Sequence, residues 1–174
     1  WWASGGELLP PIGASIGSHD SVEVFDGSLT SRFVASSIGL GNAVARMDDL
    51  DGDGIHEVLA GSWTQGRVLV LSGADGQVVL DLLGPTADAY GHAVSRAGDA
   101  DDDGVPDFAV GAPLADKVLV LSGVDGSLIR TYHGKQGDTF GWGLDHLGGA
   151  HIAVGSPLAE QQAGRVDLVD ASRP

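Results

Sequence analysis

Apolar residues in this chain come in short runs rather than at helical spacing. Examples are "VLAG" at 58–61, "RVLVL" at 67–71, "VVLDLL" at 78–83, "FAVGA" at 108–112 and "KVLVL" at 117–121. Runs of this length, bounded by glycine and acidic residues, read as strands. The Asp-Gly steps within 74–76 and 124–126 suit hairpin turns between two of them.

The runs recur with a period of 50 residues. One unit begins "LGNAVARMDDLDGDGIHEVLAG" at Leu40, and the next "YGHAVSRAGDADDDGVPDFAVGA" at Tyr90. A third begins "FGWGLDHLGGAHIAVGS" at Phe140 and is shorter by about six residues at its acidic segment. Ahead of them, "SVEVFDGSLTSRFVASSIG" from Ser21 resembles the second half of a unit. Each full unit reads as four antiparallel strands, which is how a β-propeller blade reads. The chain is thus expected to be all-β, with about three and a half blades in a single propeller or half-propeller domain. A partial first blade falls in 1–39, blades with acidic loops in 40–89 and 90–139, and a last blade without such a loop in 140–174.

The acidic segments carry the candidate chemistry. In "DDLDGDGIHE", Asp49, Asp51 and Asp53 alternate with other residues, Gly54 permits a turn, and Glu57 follows. Asp99, Asp101, Asp103, Gly104 and Asp107 repeat the pattern 50 residues on. Carboxylates this close repel one another unless a counter-charge or full solvation relieves them. A loop of alternating aspartates closed by a further carboxylate is suited to calcium, which takes six to eight oxygen ligands. An EF-hand would need a bidentate Glu at loop position 12, where Ala60 and Val110 stand instead. Two calcium sites are therefore expected, and none in the shortened third loop.

Composition narrows the class further. Glycine at 28 of 174 residues, without a collagen period, fits many tight turns. A net charge of −15, from 24 acidic and 9 basic residues, argues against nucleic acid or an anionic membrane surface as partner. Two bound calcium ions would offset four of those charges. There is no cysteine, hence no disulfide and no thiolate metal site. No apolar run approaches the ~18 residues of a membrane helix, and no signal peptide is read. A chain opening on Trp1 reads as processed or as part of a longer one.

The combined motifs resemble those of the FG-GAP repeat family, the blade of the integrin α-subunit propeller and of many bacterial extracellular proteins. Phe140-Gly141 supplies the FG, with Tyr90-Gly91 and Leu40-Gly41 as looser versions, and Gly111-Ala112-Pro113 is the GAP. Gly155-Ser156-Pro157 and Gly61-Ser62-Trp63 are variants of the latter. The resemblance covers roughly residues 20 to 170. It implies that Asp49, Asp51, Asp53 and Glu57 are side-chain ligands with the carbonyl of Ile55. Asp99, Asp101, Asp103 and Asp107 would act likewise with the carbonyl of Val105. Glu57 departs from the usual Asp by one methylene, which would alter the first site's geometry.

No nucleophile elbow, zinc-protease helix or phosphate loop appears, and the clustered acids are accounted for as ion ligands. The expected function is a non-enzymatic, calcium-binding module, extracellular or at a bacterial cell surface, that binds a protein or matrix ligand in adhesion or assembly. Trp63 stands where the next unit has Pro113, to pack on a neighbouring blade or to stack on a sugar. A lectin-like propeller is the alternative in that case, and an accessory domain of a larger secreted enzyme is another. Trp142 takes the place of His92 and is expected in the blade core or channel. Exposed edge strands are a liability, so the half-ring should be completed by self-association about a two-fold axis or by more chain, unless four blades close by themselves.

Overall fold

The computed structural model describes residues 12–15, 21–25, 31–36 and 39–173. Trp1 and Trp2 therefore lie outside the described residues. Four antiparallel sheets follow one another along the chain, each a meander in sequence order. The first contains β1 (Ile12–Ser15), β2 (Ser21–Phe25) and β3 (Ser31–Ser36). The second has β4 (Ala43–Arg46), β5 (Val58–Ser62), β6 (Arg67–Leu71) and β7 (Val78–Leu83). The third has β8 (Ala93–Gly98), β9 (Asp107–Ala112), β10 (Lys117–Leu121) and β11 (Leu128–His133). The fourth has β12 (Gly143–Gly148), β13 (His151–Ser156) and β14 (Arg165–Asp170). These are β-propeller blades. The expected hairpins form at both Asp-Gly steps, where Gly76 and Gly126 take positive φ of 77° and 75°.

The sheets stack face to face, and period-two alternation decides which side chains meet. From β6, Val68 and Val70 point forward to the third sheet, where they join Val94, Phe108, Val110 and Leu121. Leu69 and Leu71, one step out of phase, point back and close over Val22 of the first sheet. Val118 and Val120 of β10 repeat the forward contact against Ile152 and Val154 of β13. The middle strands of the second and third sheets thus pack on both faces, and β5 and β9 are buried along their whole length. The first strands β4, β8 and β12 lie side by side at the inner end of each sheet. Tyr90 and Phe140 wedge into the joints beneath them, and burial pushes the Tyr90 hydroxyl up to about 12.

Backbone contact between sheets explains two of the repeated glycines. Within a unit, Gly41 donates its N–H to the Gly61 carbonyl at 3.1 Å and Gly91 to that of Gly111 at 3.2 Å. Between units, a Cβ on Gly61 would stand 2.2 Å from the carbonyl oxygen of Gly91, and one on Gly111 2.1 Å from that of Gly141. Only a residue without a side chain lets the sheets approach so closely.

Substituting Gly111→Ala should therefore destabilise the protein by about 1–3 kcal/mol through forced separation of the sheets. At about 2–4 °C per kcal/mol for a chain of this size, a thermal melt followed by circular dichroism resolves it. Gly143→Ala, whose Cβ would meet nothing within 4 Å, serves as the control and should leave the melt in place.

Candidate metal centre

Each acidic loop joins the innermost strand of a sheet to the second: 47–57 between β4 and β5, and 99–106 between β8 and β9. The loops are organised by their own carboxylates. Asp49 accepts from the N–H of Gly52 at 2.8 Å and of Gly54 at 2.9 Å, Asp51 from Asp53 at 3.1 Å, and Asp53 from Ile55 at 2.7 Å. The second loop repeats this closely. Asp99 accepts from Asp103 at 3.1 Å and Gly104 at 3.0 Å, Asp101 from Asp103 at 3.3 Å, and Asp103 from Val105 at 2.8 Å. Asp49 and Asp99 accept through both oxygens and Asp51, Asp53, Asp101 and Asp103 through one, which fixes the carboxylates while their remaining lone pairs leave acceptor capacity for a cation.

The structure brings Asp49, Asp51, Asp53 and Glu57 together, with one oxygen from each within 4.8 Å of the others. Ile55 and Val105 take part through their amides, as donors to Asp53 and Asp103. In the second loop, Asp99, Asp101 and Asp107 converge in the same way, and Asp103 is not in that group. The two loops thus differ in the number of converging acids despite matching sequences.

The closing carboxylates are the buried members of each group. Glu57 and Asp107 are fully buried, on the threshold of β5 and as the first residue of β9. Asp107 has both oxygens satisfied: Oδ2 accepts from Ala100 N–H at 2.7 Å and Oδ1 from Gly123 N–H at 2.9 Å. Glu57 accepts from Leu50 N–H through Oε2, while Oε1 is buried with no hydrogen-bond partner. Burial pushes the Glu57 carboxyl up to about 7, and the neighbouring Asp51, Asp49 and Asp53 charges push in the same direction against the Leu50 hydrogen bond. Asp107 is raised for the same leading reason, held back by its two amide donors. A buried carboxyl with an unpartnered oxygen, grouped with three further carboxylates, is costly alone and is stabilised by a divalent cation. The residues present fit calcium, a hard ion that favours oxygen ligands.

The loops are also tied to their surroundings. Asp48 receives Arg96 of β8 at 2.9 Å, which fastens the first loop to the next blade. Leu50 reaches across the same joint: a Cβ built on Gly123 would lie 3.1 Å from its Cδ2. Gly123 is the residue that donates to Asp107 in the second loop.

At the opposite end of the strands, Trp63 follows β5 and is 39% exposed. Its ring lies 6.4 Å from that of His92, and His92 lies 4.3 Å from Trp142. Trp142 is 47% exposed, so it belongs to this surface cluster and not to the blade core, the first of the two places expected for it. The Nδ1 of His92 lies 3.1 Å from the Trp142 carbonyl, a contact that requires the proton on that nitrogen. Three successive blades contribute one ring each, an arrangement that one-dimensional spacing conceals.

No family model matches the chain, and no curated protein matches it. Among solved structures, the chain is similar to BBS1N in complex with ARL6DN, soaked with mercury. That likeness has a TM-score of 0.55 at 17% identity, over 80% of this chain and 41% of that one. It is also similar to the Neurospora crassa Pan2 WD40 domain, with a TM-score of 0.55 at 18% identity, over 90% of this chain and 44% of that one. The chain thus spans about two fifths of the length of each, and what it shares with them is the β-propeller fold.

Proposed function

We propose that the chain is a calcium-binding β-propeller module of the FG-GAP type, which holds two ions and works outside the cell, without catalysis, by binding a protein or matrix ligand. The observation that carries the ion reading is the buried, unpartnered Oε1 of Glu57 among three converging aspartates. The ions brace the reversal between the inner two strands of their blades, a structural role. Acids that would otherwise be candidates for a catalytic pair are engaged by amides of their own loops. Loops of this kind fill readily where calcium is abundant, which favours an extracellular setting. A partner-binding surface is available on the rim away from the ions, where Trp63, Leu114 and Leu158 are exposed on the turns between second and third strands and Trp142 on the turn before β12.

A second reading has its own observation. The cluster of Trp63, His92 and Trp142 offers two partly exposed indoles on one rim, and apolar sugar faces pack on such rings. It makes the chain a lectin-like propeller with one site across three blades.

Calcium should stabilise the fold by about 2.7 kcal/mol per site at an ion concentration a hundredfold above Kd, read as a higher melting temperature than in chelator. The double substitution Asp51→Asn, Asp101→Asn should abolish the difference; identical melts of the unaltered chain in calcium and chelator would count against structural ions. The two sites should also be unequal. With four converging acids against three, the first loop is expected to bind more tightly, so in calorimetric titration Asp51→Asn removes the stronger event and Asp101→Asn the weaker. The reverse assignment would show that the fourth converging acid does not set the affinity. For the sugar reading, glycan-array signal in calcium should vanish with Trp63→Ala and Trp142→Ala, and an array without hits would end it.

A further inference from the structure

Repetition along the chain separates side chains that the fold demands from side chains that it leaves free. In the place of Trp63 the next two units have Pro113 and Pro157, and in the place of Trp142 the units before it have Asn42 and His92. The glycines nearby recur in all three units: Gly61, Gly111 and Gly155 before the first place, and Gly41, Gly91 and Gly141 before the second. The blade therefore requires these glycines and does not require the rings beside them.

Each ring nonetheless stands on a turn held by backbone hydrogen bonds. Gly66 donates its N–H to the Trp63 carbonyl at 3.2 Å, His92 to that of Ala89 at 3.1 Å, and Trp142 to those of Thr139 and Gly155, both at 3.2 Å. Rings fixed in this way lose little freedom when a ligand settles on them. The two indoles are partly open to water. Among the described residues they do not touch each other, and His92 links them. With the proton of His92 on Nδ1, directed at the Trp142 carbonyl, Nε2 of the neutral ring is an acceptor, and it has no hydrogen-bond partner among the described residues. The rim thus offers two separate apolar faces with an acceptor between them.

An uncharged sugar unit is the complement of half of this arrangement: it has an apolar face to lie on an indole and hydroxyls at its edge that donate. One unit covers one indole, so two indoles call for two linked units. A carboxylate or sulfate on the sugar would meet an acceptor at Nε2 and a chain of net charge −15. We infer that Trp63, His92 and Trp142 bind an uncharged glycan of two or more sugar units, one unit on each indole and a hydroxyl donated to Nε2 of His92. The inference rests on the lectin-like reading and narrows its ligand.

A glycan array probed with the full chain tests it, followed by calorimetric titration of the best hit and of that glycan's terminal sugar alone. Hits should be uncharged glycans of at least two units, and two units should bind about tenfold more tightly than one. Trp63→Ala and Trp142→Ala should each reduce the two-unit affinity to that of the single sugar. His92→Ala should lower it about fivefold, the equivalent of one hydrogen bond. The blade does not require these rings, so circular dichroism should be unchanged. Hits confined to acidic glycans, equal affinity for one unit and two, or binding that survives all three substitutions overturns the inference and leaves the chain a lectin of another design. An array without a hit removes the lectin-like reading and the inference with it.

Discussion

The rest of the structure depends on the burial of both faces of the middle strands in the second and third sheets. A sheet apolar on one side packs once and stops; one apolar on both sides must be followed by another. Val68 and Val70 look forward while Leu69 and Leu71 look back, so four residues of one strand take part in two joints. The glycines that open and close the inner strands follow from this demand. They let backbone meet backbone where side chains would hold the sheets apart.

The ion loops are built on the same scaffold. The inner strand has to reverse into the fully buried second strand, and the reversal places a carboxylate at the buried boundary. In the second loop that carboxylate is an Asp short enough for both oxygens to find amides. In the first it is a Glu, whose extra methylene carries one oxygen past them. A difference of one methylene thus separates a carboxylate whose two oxygens both find amides from one that leaves an oxygen without a partner.

The sequence makes the periodic parts of this legible. Strand runs, Asp-Gly hairpins and acidic loops recur at fixed offsets, and recurrence distinguishes a pattern from chance. What it hides is whatever breaks the period. Strand β1, "IGAS", has one large apolar residue, Ile12, followed by three small ones, and so no apolar run to announce it. The separation of Asp103 from its expected partners depends on side-chain direction within a loop whose spacing is the same as the first. The approach of His92 to Trp142 joins residues 50 apart, adjacent only because inner strands of successive blades run side by side.

Leu50 gives the two ion loops a shared boundary. Its amide holds Glu57 in the first loop, and its side chain rests on Gly123, whose amide holds Asp107 in the second. The ends of one residue therefore touch the closing ligands' supports on both sides of a blade joint. Free energy that passes along such a contact passes equally in either direction, because linkage between binding events is reciprocal. The loops are separate in sequence, and Leu50 makes their closing carboxylates neighbours through one residue; were both loops to hold the ions proposed for them, each ion's occupancy would enter the other's environment there.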